Sequence, residues 1–244
     1  NREGTAAVVR AMRQAQVRQL VYLSSAAVYS PGPTGVPVPE TWPRRGIPGS
    51  SYSADKVVVE DMLDRVEADT PDLRIVRVRP PTVLQPSAAR QVTGMTLGRF
   101  APLARLLHGR LPLLPLPSRA ITQVVAADDV ADLVGLAVRH QGAGAYNVAD
   151  DPVLTPAELA RLLGGRHVPV PASAVRAVLG VTFRLRLQRL NPSWADLLLD
   201  TPVLDCAKAR TELGWRPHHD GRTLVTQMRQ AVAAGTSAPT PPLG

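Results

Sequence analysis

Two hydrophobic periodicities alternate along this chain, and that alternation restricts its fold more than any other feature. Runs patterned like short strands, at residues 20–23, 73–78, 123–125 and 145–148, are separated by stretches with helical spacing at 3–16, 53–68 and 128–139. In the first helix the spacing turns Val8, Val9, Met12 and Ala15 inward, and in the second Val59, Met62, Leu63 and Val66. No tight hairpin signal joins any two of the strands, and strands that do not turn back on themselves need crossover connections. The expected class is α/β, built on a parallel sheet.

The punctuation between these runs is also legible. Residues 30–50 are rich in Pro and Gly and read as loop, and Pro80-Pro81 ends the strand at 73–78. Thr155-Pro156-Ala157-Glu158 is a helix start, with a threonine cap, proline at the first position and glutamate at the third. Beyond residue 165 the pattern turns mostly helical, and residues 87–120 and 166–217 fit a second lobe better than the sheet. The stretch 236–244 is polar and Pro-rich and reads as a disordered tail.

Composition removes several classes of function. No run approaches the roughly 20 apolar residues that span a bilayer, so no membrane association is expected. Cys206 is the sole cysteine, which excludes an intrachain disulfide and a cysteine-built metal site and makes a cytoplasmic setting the default. The formal charge of +8 comes from scattered arginines without aromatic interleaving, so no nucleic-acid partner is expected. His108, His140, His167, His218 and His219 show no metal-ligand spacing, and no metal is expected.

The chemistry concentrates in Tyr52-Ser53-Ala54-Asp55-Lys56, downstream of Val21-Tyr22-Leu23-Ser24-Ser25-Ala26-Ala27-Val28-Tyr29. The chain has only two lysines, Lys56 and Lys208, and Lys56 stands four residues after a tyrosine at a helix start. That spacing puts both side chains on one helix face, where the ammonium favours loss of the phenolic proton. Ser24 and Ser25 offer hydroxyls that could orient a substrate oxygen. Asp128, Asp129 and Asp205 read as helix caps or first-turn charges and Trp215 as a packing residue.

Several motifs in one order support a resemblance. They are Asn1-x-x-Gly4-Thr5, the stretch from Val21 to Tyr29, then Glu40, Pro48, Tyr52-x-x-x-Lys56 and Glu60. Arg79-Pro80-Pro81-Thr82-Val83, Ala127-Asp128-Asp129-Val130-Ala131, Gly144-Ala145-Tyr146-Asn147-Val148 and Leu204-Asp205 with Leu213-Gly214-Trp215-Arg216-Pro217 follow. In these the chain resembles the extended short-chain dehydrogenase/reductases, the NAD-dependent epimerase/dehydratase group. The resemblance implies Tyr52 as general acid/base, Lys56 as its activator and the holder of the nicotinamide ribose, and Ser25 as hydrogen-bond partner of the reacting oxygen. It further implies NAD or NADP as cofactor, contacted by Tyr52, Lys56, Asn1, Ser24, Pro81, Thr82 and Val83.

One departure matters: no Gly-x-x-Gly-x-x-Gly turn opens a helix anywhere in the sequence. The expectation is a partial Rossmann-like sheet lacking its first βαβ units, with an exposed edge and apolar face. Residues 1–150 would form the remainder of the dinucleotide-binding domain, with 87–120 contributing to the substrate lobe. Residues 151–235 would form a smaller, mostly helical C-terminal lobe. As it stands, the chain is expected neither to bind the cofactor tightly nor to turn over.

A second departure narrows the reaction. Sugar-nucleotide 4,6-dehydratases of the family carry Thr-Asp-Glu where this chain has Ser25-Ala26-Ala27, and alanines have no acid to lend to an elimination. The implied activity is an epimerase or oxidoreductase acting on a nucleotide sugar or another small hydroxyl or carbonyl substrate, with a homodimer left open. The alternative is a non-catalytic, dinucleotide-sensing regulator or an interaction module of the same fold.

Overall fold

The structure, a computed structural model, describes residues 2–97, 101–188 and 191–238. Its elements divide between two units. The first takes the chain up to Pro81, Asp128–Ala149 and Asp200–His218; the second takes Thr82–Ala127, Asp150–Leu199 and the chain from His219 on.

In the first unit, strands β1 (Gln19–Leu23) and β2 (Arg74–Arg79) pair in parallel, Gln19 opposite Arg74 through Leu23 opposite Val78. The last strand of this sheet (Gly144–Asn147) adds on the other side of β2, also in parallel. Helix α1 (Arg2–Gln14) precedes β1, and α2 (Ser51–Asp69) is the crossover from β1 to β2. Val9, Val59, Leu63, Leu73 and Ile75 form the buried cluster between helices and sheet, with Met12, Leu20, Tyr22, Met62 and Val66 packed against it. Val8, read as inward from sequence, is 50% exposed, and Ala15 is exposed beyond the end of α1. Only Val9 and Met12 of that set reach the cluster.

The side of β2 that carries Ile75 also carries Arg77 and Arg79, because strand side chains alternate. Both arginines are buried, at 3% exposure. Acidic residues of α2 meet them. Arg77 pairs with Asp64 and Glu67 at 2.7 and 3.0 Å, and Arg79 with Glu60. Glu60, Asp64 and Glu67 recur at helical spacing, so one acidic stripe of α2 lies over the arginine-bearing end of the strand. β1 forms an edge of the described sheet, and Leu23 at its end is 52% exposed.

The second unit opens directly after Pro81 with β3 (Thr82–Leu84), followed by α3 (Ala89–Leu97), α4 (Ala101–Leu106), β4 (Leu113–Leu116) and β5 (Val124–Ala126). Here β3 pairs with β5 in parallel. Helix α5 (Ala127–Arg139) returns the chain to the first unit, where Gly144–Asn147 is β6. Back in the second unit come α6 (Pro156–Leu162), β7 (Arg166–Pro169), α7 (Ala172–Arg184) and α8 (Ser193–Asp200). Strands β4 and β7 pair in parallel despite Pro115 and Pro169, which short two-stranded edges tolerate. The start of α6 is the capping box expected from Thr155 and Glu158.

The sequence boundary of a second lobe at 151–235 is interrupted. Asp200–His218, with α9 (Ala207–Glu212), belongs to the first unit. Trp215 accounts for this return: it is 1% exposed and its indole donates to the Asp129 carbonyl at 2.9 Å. Asp129 is itself buried and its carboxylate accepts from His218 N at 2.9 Å. Helix α10 (Gly221–Ala234) closes the second unit. Of the tail, Thr236, Ser237 and Ala238 hydrogen-bond to Arg90 and Gln91, and the remainder lies outside the described residues. No helix among the described residues is long and apolar enough to cross a membrane.

Leu63 is fully buried at the centre of the α2 cluster. Leu63→Ala should lower the unfolding free energy by about 2–5 kcal/mol, read from the urea midpoint, through lost burial and the cavity left behind.

Candidate functional site

The end of β1 and the first turns of α2 are sewn together by short-range chemistry. Ser24 N donates to Val78 O and Ala26 N to Pro80 O, both at 2.8 Å, so the chain past β1 keeps following β2. Ser25 then caps a short turn over Ala26–Val28, its Oγ accepting from Ala27 N at 3.2 Å. A hydroxyl that accepts in this way keeps its own proton to donate.

On the helix side, Ser50 caps α2 by accepting from Ser53 N. Ser53, fully buried beside Tyr52, donates to Ala27 O at 2.6 Å and accepts from Ile47 N at 2.7 Å. The turn carrying Tyr52 is thereby tied two residues beyond Ser25. Gly46 makes this possible: its φ is +73°, and a Cβ there would stand 2.5 Å from Ser53 Oγ.

Lys56 completes the arrangement. Its Nζ donates to Leu23 O at 2.7 Å and lies 5.9 Å from the Tyr52 ring centre and 5.0 Å from that of Tyr22. Burial pulls the Lys56 ammonium below its usual range, and the charge of Glu60 partly offsets this. Tyr22 is the less exposed of the two tyrosines. Tyr52 is 37% exposed. Burial, then the charges of Glu60, Tyr52 and Asp55, push the Tyr22 phenol up to about 12.

Behind this wall lies a polar network that the motif reading did not anticipate. Glu60 is 0% exposed. Its Oε1 accepts from Ser24 Oγ at 2.5 Å and Arg79 Nε at 3.0 Å; its Oε2 accepts from Arg79 at 2.5 Å and Arg44 at 2.8 Å. Arg79 also donates to Tyr29 Oη at 2.8 Å, and Tyr29 donates to Asn147 Oδ1 at 2.6 Å. Burial pushes the Tyr29 phenol up to about 12, against Arg79. Glu60 was legible only as a motif position four residues after Lys56, and its partner Arg79 only as the first residue of the motif Arg79-Pro80-Pro81-Thr82-Val83.

Ser24, Ser25, Tyr52 and Lys56 thus come together in the first unit, and Pro81 stands at its end, one residue past the carbonyl bound by Ala26. Thr82 and Val83 are exposed in β3 of the second unit. Asn1 lies outside the described residues. Asp129, Asp132 and His218 bring ligand-type atoms within 4.8 Å of one another, but Asp129 is already committed to His218 N.

Known proteins resemble this chain in sequence and in fold. The sequence model described as the NAD dependent epimerase/dehydratase family matches residues 1–149. The chain belongs to that family. A 3-diazoavenalumate denitrifying reductase of Streptomyces sp is 30% identical to this family member over 224 residues, covering 89% of the chain and 66% of the reductase. A UDP-glucose 4-epimerase of Streptomyces lividans is 28% identical over 216 residues, covering 80% of the chain and 64% of the epimerase. The crystal structure of the Thermus thermophilus UDP-glucose 4-epimerase in complex with NAD shares the fold, with a TM-score of 0.63 at 23% identity over 92% of the chain and 67% of that structure. The chain therefore spans about two-thirds of the length of these relatives.

Acid should dismantle the network. Burial pushes the Glu60 carboxyl up, but the bonds and charge of Arg79, the Ser24 hydroxyl and Arg44 outweigh it, and the net shift is downward. A carboxyl depressed in the folded state stabilises the fold above its unfolded value of about 4.3 and loses that contribution as pH falls through the folded value. Urea denaturation at stepped pH should show stability constant near neutrality and declining below about pH 4; a flat profile down to the acid limit would contradict the assignment.

Proposed function

We propose that the protein is an NAD(P)-dependent epimerase or oxidoreductase that moves a hydride to or from a carbon bearing a hydroxyl or carbonyl, with Tyr52, Lys56 and Ser25 as its reacting wall. The observation that carries the reading is the position of Lys56: one half-buried ammonium, anchored on Leu23 O two residues before Ser25, faces the Tyr52 ring. An ammonium has three donors and Leu23 takes one, so Lys56 fits the ribose hydroxyls of a nicotinamide nucleotide. The family and the NAD complex of the Thermus structure favour NAD, with NADP as the second choice. When bound, the dinucleotide supplies the hydride acceptor or donor.

The chain's own residues handle the proton. Tyr52 sits at the second position of α2, exposed enough to meet a substrate oxygen and within reach of the Lys56 charge. It takes the hydroxyl proton as the carbonyl forms and returns it in the reverse sense. Ser25 donates to the same oxygen and holds it in line. Tyr22 does not compete, because its phenol stays protonated across the physiological range. Ala26 and Ala27 are buried and carry no acid, which favours hydride and proton transfer over elimination of water. A nucleotide sugar is the favoured substrate class, on the strength of the epimerase relative.

The test uses the protein at the length its own coding sequence specifies, assayed on UDP-sugars for epimerisation and on small ketones by nicotinamide absorbance. Tyr52→Phe should lower kcat by about 10²–10⁴ and retain cofactor binding. Undiminished turnover would overturn the reading, and cofactor binding without turnover in the parent protein would point to a dinucleotide sensor instead. The 244 residues hold no glycine-rich phosphate turn. Calorimetric titration of this chain alone with NADH should accordingly show no micromolar binding.

A further inference from the structure

The hydrogen bonds around β1 converge on a residue outside the reacting set. We propose that Glu60 is a positioning residue of this site: it holds the end of β1 through Ser24 and, one turn beyond Lys56 on α2, is the counter-charge of the ammonium bonded to Leu23 O. The inference rests on the reading of Tyr52, Lys56 and Ser25 given above.

Three observations carry it. First, both Glu60 oxygens are used, and one of the four bonds goes to Ser24, the residue between the Lys56 acceptor Leu23 and the substrate-facing Ser25. A shift of Ser24 therefore moves both. Second, Glu60 stands four residues after Lys56 on α2, one turn along the same helix face, and its charge opposes the effect of burial on the ammonium. The groups facing Glu60 are Arg79 from β2, Arg44 and Tyr29 from the loops and Tyr22 from β1, with Lys56 on its own helix. Asp55 and Tyr52 are the other titratable neighbours of Tyr22 on the Lys56 side. Third, the energetics of burial favour a functional reason. A buried carboxylate with two guanidinium partners is often no more stable than apolar side chains of the same volume, so packing alone gives weak grounds for it. Helix α2 already holds an apolar cluster with Val59 and Leu63 beside this position.

The test again uses the full-length protein. With ¹³C-labelled lysine, the Lys56 signal is assigned by its loss in Lys56→Arg and titrated by NMR. Glu60→Gln should move the Lys56 midpoint to lower pH, and Glu60→Asp, which restores the charge, should bring it back towards the parent value. Ser24→Ala removes only the Ser24 contact and should lower kcat roughly tenfold, as misplacement of a reacting group does. A folded Glu60→Gln variant with parental Lys56 midpoint and parental kcat overturns the proposal. Should Glu60→Gln fail to fold, Ser24→Ala decides, and a parental kcat there overturns it. If Tyr52→Phe keeps full turnover while Glu60→Gln still shifts Lys56, the function assigned above fails and the coupling of Glu60 to Lys56 stands.

Discussion

The Glu60–Arg79 pair is the interaction on which the first unit depends. Arg79 ends the central strand and Glu60 lies in the middle of the helix packed on it, with both side chains withdrawn from water. Two guanidinium bonds and a second arginine hold the carboxylate ionised in a place where an unpaired charge would cost several kcal/mol. From there the network runs through Tyr29 to Asn147 in β6, whose side-chain amide binds Val38 O and Asp205 O. One buried pair thus connects strand, helix, loop and the returning segment. Such networks are useful only when every member is satisfied, and this one places a donor against each oxygen of Glu60.

The consequence is a rigid seat for mobile chemistry. Tyr52 lies at a helix start, where side chains project past the end of the sheet, and a residue there would normally fray. Here Ser50 caps the helix, Ser53 grips Ala27 O, and Gly46 gives its backbone room for that grip. Each of these contacts is local and modest, about 0.5–1.5 kcal/mol for a typical hydrogen bond. Together they hold the first turn of α2 in one orientation.

How much of this could be read from the chain follows from the same physics. Apolar spacing located α2 and β2, and the cap at Thr155 located α6, because these signals are local. The Tyr52–Lys56 stretch was legible as a motif, and in the structure Lys56 binds Leu23 O while Ser24 binds Glu60. The arginine face of β2 was not legible. Alternating charge normally marks a solvent face, and only the acidic stripe of α2, brought close by tertiary packing, reverses that meaning for Arg77 and Arg79. Strands β3, β4 and β7 also escaped, being three or four residues long and, in two cases, carrying proline. The return of Asp200–His218 to the first unit depends on Trp215 finding Asp129, a contact separated by 86 residues that no window of sequence contains.

The pair of tyrosines around Lys56 shows what that packing does for chemistry. The ammonium lies nearer to the Tyr22 ring than to the Tyr52 ring, so charge proximity alone would nominate Tyr22 as the base. Burial decides otherwise. Tyr22 packs against the α2 cluster, and removal from water, reinforced by the Glu60 charge, pushes its phenol up to about 12 and leaves it a fixed, protonated wall. Tyr52 shares the lysine but stands outside the cluster with over a third of its surface open. Desolvation penalises the charged form of a phenol whatever cation is near, so Tyr22 stays protonated despite the ammonium beside it. The sheet-facing side of α2 thus keeps Tyr22 withdrawn from water through the same apolar contacts that hold the helix on the sheet.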